Sequence, residues 1–213
     1  MDFVRDHRVL CLFAGLFALL ALLVTQGHTG TLDEFGVLLM RGESRAEDFL
    51  TQLISNLTHL GDSITLAIIA LATVGFLVWK KETIAAKWFL FAAAGSFIIT
   101  AISKWAFGRD RPEIVEQFAS ASSASFPSGH TLRSAVVYAL LAFIVTRTAS
   151  QRANMIIYFT AAAVIIANGL SRVYLGVHWP TDVIGAWLIA GFWLVLCKKG
   201  YDNSCAKRDK ADN

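Results

Sequence analysis

Three short segments of the chain carry residues whose types and spacing suit phosphoryl transfer. Lys104 is separated by six residues from Arg111-Pro112, the segment Pro127-Ser128-Gly129-His130 follows, and Ser171-Arg172 is separated by five residues from His178 and by nine from Asp182. Phosphoryl transfer needs positive charge on the equatorial oxygens and an in-line nucleophile. Lys104, Arg111 and Arg172 can supply that charge, the arginines as bidentate forks and the lysine as a point charge. Ser128 and Gly129 stand just ahead of an apolar run, and a helix N-terminus with free backbone N–H groups is a natural phosphate seat. His178 and Asp182 are four apart, so on a helix or tight turn they can touch. A carboxylate on one ring nitrogen fixes the tautomer and sharpens the other nitrogen as a nucleophile. His178 is therefore the candidate nucleophile, forming a phosphohistidine. His130 is the candidate acid for the leaving group and later the base for water. A lone histidine or lysine at the end of an apolar run is more often structural or snorkelling. The case for a site rests on the convergence of the whole set.

The rest of the chain is built to hold such a set at the edge of a membrane. Its 213 residues are 55% hydrophobic and 16% charged, with a mean hydropathy of +0.55, too apolar for an ordinary soluble domain. The net charge of +3 is small and forms no concentrated basic face, which argues against a nucleic-acid partner. Cys11, Cys197 and Cys205 show neither a disulfide framework nor zinc-ligand spacing. No other residue set resembles a metal site, so the chemistry is read as needing no metal and no cofactor.

Apolar runs at roughly 9–26, 63–79, 85–103, 130–147, 153–171 and 182–197 are expected to be helices, because lipid cannot satisfy exposed backbone groups. The expected fold is an all-α integral membrane protein: a six-transmembrane-helix bundle with amphipathic surface helices between spans 1 and 2. The first run lacks a small-x-small cleavage site in Val24 to Gly30 and reads as an uncleaved span. With the N-terminus inside, 12 of the 19 basic residues fall on the inner side, and acids divide 6 inside to 10 outside. The positive-inside bias then puts both termini in the cytoplasm. All three motifs lie at the opposite, outer face. Residues 1–198 are expected to form the membrane domain and 199–213 a polar, poorly ordered cytoplasmic tail. Leu32 to Arg41 and Ala46 to Leu57 both read as amphipathic. The plain reading is a connector packed on the bundle, and the alternative is a lid or a rim for lipid access. Of the remaining polar residues, Arg109 and Arg133 are expected on a basic rim, Asp110 is a candidate partner for Arg109, and His59 is at most a residue lining the entrance.

Taken together, the three motifs resemble those of the type 2 phosphatidic acid phosphatase superfamily. The match is complete at each motif, and the six-span layout covers nearly the whole chain. The resemblance implies a six-helix membrane phosphatase with nucleophile His178, orienting Asp182, acid/base His130, and phosphate ligands Lys104, Arg111, Ser128, Gly129 and Arg172. It implies a phospholipid or polyprenyl phosphate substrate and a site on the periplasmic face of a bacterial inner membrane. Phosphatidylglycerophosphate and undecaprenyl pyrophosphate are the favoured substrates, with lipid A dephosphorylation or lipid-to-lipid phosphotransfer as alternatives. Relatedness to vanadium-dependent haloperoxidases implies inhibition by vanadate. A transporter or scaffold is the non-enzymatic alternative. Transporters, however, place polar residues at mid-membrane breaks, whereas here they lie at span ends.

Overall fold

The structure, a computed structural model, describes residues 2–42, 44, 48–121 and 123–211, with side chains from residue 6 onward. Ala46, where the second amphipathic stretch begins, lies outside the described residues, as do Glu43, Arg45, Glu47 and the side chain of Arg5, counted in the charge balance above, and residues 212–213 of the tail. Among the described residues there are eight α-helices and no strand. They are α1 (Asp2–Thr25), α2 (Gly30–Arg41), α3 (Phe49–Thr58), α4 (Ser63–Trp79), α5 (Thr83–Phe107), α6 (Gly129–Thr146), α7 (Gln151–Tyr174) and α8 (Pro180–Ala211), with a 3-10 turn at His59–Gly61 between α3 and α4.

By length and composition α1, α5, α6, α7 and α8 can each cross a membrane. The sixth expected span, α4, has 17 residues, or about 25 Å at 1.5 Å per residue, a few ångströms under the hydrocarbon thickness. It meets the same length only together with α3 and the 3-10 turn, from which it is bent by 44°. Helix α6 lies at the centre, packed on α4, α5, α7 and α8, while α1 lies along α8. Leu66, Leu77, Phe89 and Val137 fill one core cluster, and Leu132, Val136 and Ala186 fill a second. The outward faces of α1 and α7 expose Leu12, Leu16, Leu19, Ile156 and Phe159, as a lipid-facing surface requires.

Two expectations are corrected. The tail from Lys198 is helical to Ala211, so α8 crosses the 198/199 boundary without a break. It is held by Trp88, whose Nε1 donates to Ser204 Oγ at 3.0 Å. Composition alone could not anticipate this, because the tie comes from α5. The amphipathic pattern of α2 is also inverted. The face it buries carries Asp33, Val37 and Arg41, while Leu32, Phe35, Leu38 and Leu39 point outward. Asp33 and Arg41 pack on the protein beside Val37, which joins Val173 and Val183 in a small apolar cluster, and the wider apolar stripe is left for something else.

Near the motif end, Phe126 is fully buried against Phe17 and Phe107, at ring-centroid distances of 5.9 and 5.0 Å. Gly185 of α8 makes room for it, since a Cβ there would lie 2.6 Å from the Phe126 ring. Phe126→Ala should lower stability by about 3–5 kcal/mol, read as a lowered thermal midpoint in detergent. A shift within error would mean that this aromatic cluster does not anchor the loop.

Candidate active site

The turn from α7 into α8 sets the geometry of the third motif. Leu175, Gly176, Val177 and His178 donate back to the carbonyls of Ser171, Val173, Arg172 and Arg172 at 2.9–3.2 Å. Gly176 takes φ +72°, and a Cβ there would lie 2.9 Å from the Glu116 carbonyl oxygen. The five-residue spacing is therefore a tight helix terminus that folds His178 back beside Arg172. Proline at the first position of α8 fits a helix start. Asp182 falls in that first turn, where the helix dipole favours a carboxylate. At the first motif, α5 ends on Gly108 at φ +57°, whose N–H donates to Lys104 O at 3.1 Å. The chain then doubles back and brings Arg111 towards Lys104.

Six of the eight predicted site residues line one cavity of about 120 Å³: Lys104, Arg111, Gly129, His130, Arg172 and His178. A single water needs only ~10–15 Å³, so a tetrahedral oxyanion has room. Arg133, expected on the rim, lines the same cavity. The cations are held from behind. Lys104 Nζ donates to Ser123 Oγ at 2.7 Å and to Ala124 O at 2.8 Å. Arg111 Nε donates to Ser123 O at 2.9 Å, and its Nη1 to Val177 O. Arg172 Nη1 donates to Thr58 Oγ1 at 3.1 Å, while its Nε is buried with no partner among the described residues. An orphaned guanidinium N–H beside a cationic cavity is what an anion would satisfy.

His178 has 2% of its side chain exposed. Its Nδ1 lies 3.2 Å from Asp182 Oδ2 and 3.3 Å from Ser125 Oγ. An ionised carboxylate only accepts, so Nδ1 carries the proton. The lone pair is then on Nε2, 3.4 Å from Arg111 Nη1. Burial lowers the His178 pKa to about 3, against the opposing hydrogen bond and charge of Asp182, and Arg111 and Arg172 lower it further. The ring is neutral at rest, and its free nitrogen can attack an electrophile.

Asp182 has no solvent contact. Its Oδ2 accepts from Trp179 N at 2.9 Å and from Ser125 Oγ, and its Oδ1 accepts from Arg109 Nη1 at 2.6 Å. Arg109 is thus not a rim residue, and Asp110 is not its partner. Its other nitrogen, Nη2, donates to Asp33 Oδ2 at 2.6 Å. Asp33 also accepts from Thr181 N at 3.0 Å and from Thr181 Oγ1 at 2.7 Å, capping α8 from α2. Ser128 is the other predicted ligand that does not line the cavity. Its N–H donates to Asp182 O at 3.1 Å, and its Oγ accepts from Thr131 Oγ1 at 2.9 Å. It starts α6 and leaves the first free N–H groups to Gly129 and His130. Asp62 was not anticipated either. Its Oδ1 accepts from His130 Nε2 at 2.8 Å, and its Oδ2 lies 2.7 Å from His59 Nδ1. No motif spacing points to Asp62, Asp33 or Ser125. Asp33 stands beside a second acid, Glu34, on α2, so the sequence does not single it out. Among the described residues, no group of three or more His, Cys, Asp or Glu side chains is arranged to hold a metal ion.

Comparison with known proteins gives a consistent picture. The sequence model described as the PAP2 superfamily matches residues 85–204. A phosphatidylglycerophosphatase B of Bacillus subtilis (strain 168) is 30% identical over 159 residues, covering 73% of this chain and 77% of that protein. The crystal structure of a transmembrane PAP2-type phosphatidylglycerolphosphate phosphatase from Bacillus subtilis is similar, with a TM-score of 0.81 at 26% identity, over 92% of this chain and 96% of that one. Aquifex aeolicus LpxE shares the fold, with a TM-score of 0.62 at 21% identity, over 79% of this chain and 95% of that one.

Arg109 is the sole cation hydrogen-bonded to Asp33 and Asp182 among the described residues. Arg109→Met should therefore leave two buried carboxylates facing each other and cost about 3–5 kcal/mol, read as loss of thermal stability in detergent. Asp33→Asn, which keeps an acceptor for Thr181, should cost less. Equal stability of Arg109→Met and wild type would show that the triad is not a structural tie.

Proposed function

We propose, from the premise that the chain belongs to the PAP2 superfamily and is a lipid phosphatase, that it releases the terminal phosphate of phosphatidylglycerophosphate through a phosphohistidine on His178. One observation carries the mechanism. The deprotonated Nε2 of His178 meets a cavity walled by Lys104, Arg111, Arg133 and Arg172, while Asp182 holds the opposite nitrogen. The cations and the first N–H groups of α6, at Gly129 and His130, bind the phosphoryl oxygens. His178 Nε2 attacks phosphorus in line with the departing oxygen. His130 protonates that oxygen, then takes a proton from the water that hydrolyses the phosphohistidine. Ser128 serves by holding the start of α6 on Asp182 O, a positioning part in place of the ligand role expected from the motif.

In-line displacement sends the leaving group to the side of phosphorus away from His178. A second pocket of about 300 Å³ shares His130, Arg172 and Ser120 with the first and is lined also by Ser55, Thr58 and Asp62. Phe118, Ala119 and Leu175 complete its lining, and the hydroxyls of Ser55, Thr58 and Ser120 can hydrogen-bond a glycerol-bearing headgroup, which supports phosphatidylglycerophosphate. The relatives' names point the same way.

The placement follows from the charge distribution. In this reading α1, α4, α5, α6, α7 and α8 make six spans. Both termini are cytoplasmic, and the site faces the periplasm of a bacterial inner membrane. Residues 1–198 form the membrane domain, 199–213 the cytoplasmic tail, of which 199–211 prolong α8. Helices α2 and α3 lie at the outer surface, with Leu32, Phe35 and Leu39 dipping into the interface.

Phosphate release by purified protein in detergent tests this reading against a panel of phosphatidylglycerophosphate, undecaprenyl pyrophosphate, phosphatidic acid and lipid A. Phosphatidylglycerophosphate should be turned over best, EDTA should leave the rate unchanged, and vanadate should inhibit. His178→Ala should fall below detection, and Asp182→Asn should lose roughly 10²–10⁴-fold in kcat. Because the free His178 ring stays neutral, kcat/KM should show no titration of the nucleophile between about pH 5 and 8. Turnover by folded His178→Ala would sink the nucleophile assignment, and a preference for undecaprenyl pyrophosphate would sink the substrate assignment.

A further inference from the structure

Asp62 occupies the N-cap of α4, yet its side chain makes no cap hydrogen bond. An N-cap aspartate ordinarily accepts from the second or third N–H of its helix. Here that stabilisation is forgone, and both carboxylate oxygens go to imidazoles, Oδ1 to His130 Nε2 at 2.8 Å and Oδ2 to His59 Nδ1 at 2.7 Å. Because a carboxylate only accepts, His130 Nε2 carries a proton and Nδ1 is the nitrogen left for the cavity. The charged groups around the His130 ring are Asp62 from the turn before α4, Arg133 from its own helix, and Arg172 from α7, with Lys104 and Arg111 across the cavity. Asp62 is the single negative charge in that set, so it alone favours the imidazolium over the neutral ring.

We propose that Asp62 is a positioning residue for the acid step: it fixes the tautomer of His130 and stabilises its imidazolium, as Asp182 does for the tautomer of His178. The inference rests on the acid role given to His130 above. In the first half-reaction His178 Nε2 bonds to phosphorus, the P–O bond breaks with its electron pair on the leaving oxygen, and the Nδ1 proton of His130 passes to that oxygen. In the second, water bonds to phosphorus, its proton returns to His130 Nδ1, and the P–N electron pair returns to His178. The proton is recovered within the cycle, so Asp62 acts by charge and orientation and needs no external proton donor. His59, whose side chain is 67% exposed, takes up the second oxygen and holds the carboxylate towards His130.

An acid is needed most where the leaving group is poor. Asp62→Asn should therefore lower kcat/KM, which reports the steps up to departure of the leaving group, by on the order of 10²-fold on phosphatidylglycerophosphate, but by less than about threefold on p-nitrophenyl phosphate, whose phenolate leaves without help. Asp62→Glu should restore part of the loss on the lipid. Asp62→Ser, which keeps a capping oxygen for α4, should show the same split and covers a failure of the Asn variant to fold. Equal losses on the two substrates, or no loss on the lipid, would overturn the proposal and leave Asp62 a structural residue. Residual turnover by His178→Ala in the same assay would instead overturn the phosphohistidine mechanism, so the two failures are distinguishable.

Discussion

A carboxylate with no solvent contact has to be satisfied where it sits, because an unpaired buried charge is among the costliest features a fold can carry. Asp182 is such a group, and three separate pieces of chain come together to satisfy it. The turn before α8 offers Trp179 N–H and the His178 ring, the segment after α5 offers Arg109, and the segment before α6 offers Ser125. Arg109 then needs a second acid, which Asp33 supplies from α2. The arrangement that orients His178 is thus also the arrangement that ties α2, α5, α6 and α8 together at one end of the bundle. Catalytic geometry and structural integrity cannot be separated here by mutation of Asp182 alone, since both rest on the same oxygens.

The same constraint accounts for the inverted face of α2. A helix on a soluble protein buries its apolar stripe. This one buries Asp33 and Arg41, the latter with its guanidinium 3.2 Å from the centroid of the Phe118 ring and Nη2 donating to Glu116 O at 3.2 Å. Polar contacts are worth more against a bundle whose own polar residues need partners, while an apolar stripe loses nothing by facing lipid. Each of the two buried charges on α2 is spent on a loop that carries site residues: Asp33 on the Arg109 segment and Arg41 on the segment that holds Glu116 and Phe118.

Much of this was legible in the sequence. The lengths of α4 to α7 follow from runs of apolar residues bounded by Lys, Gly, Ser and Pro. The convergence of Lys104, Arg111, His130, Arg172 and His178 follows once alternate spans are folded antiparallel. Pairing of His178 with Asp182 follows from a spacing of four. What could not be read were the long-range partners. Arg109 looked like a surface cation because its neighbour Asp110 is an obvious local partner, yet the bond it makes is to residues 73 and 76 positions away. Asp62 stands in no motif, and its two contacts depend on the bend between the 3-10 turn and α4. The ordered tail depends on a tryptophan in α5. In each case the local sequence is compatible with several partners, and only tertiary packing selects one.

The two histidines of the site show how one arrangement, imidazole against carboxylate, can be put to different ends by environment. The pair at His178 and Asp182 is closed to water, with side chains 2% and 0% exposed. Asp182 shares Arg109 with Asp33 and orients the ring, while burial keeps the ring uncharged. The pair at His130 and Asp62 is partly open, with Asp62 37% exposed and, among the described residues, hydrogen-bonded to the two imidazoles His130 and His59. Its charge acts on His130 in opposition to Arg133 and Arg172. In the proposed mechanism a nucleophile and an acid are drawn from two like residues of one cavity, and the surroundings of their carboxylate partners are what set the two apart. The difference lies in what each carboxylate is shared with: Asp182, closed to water, is shared with Arg109, and Asp62, open to water, is shared with His59.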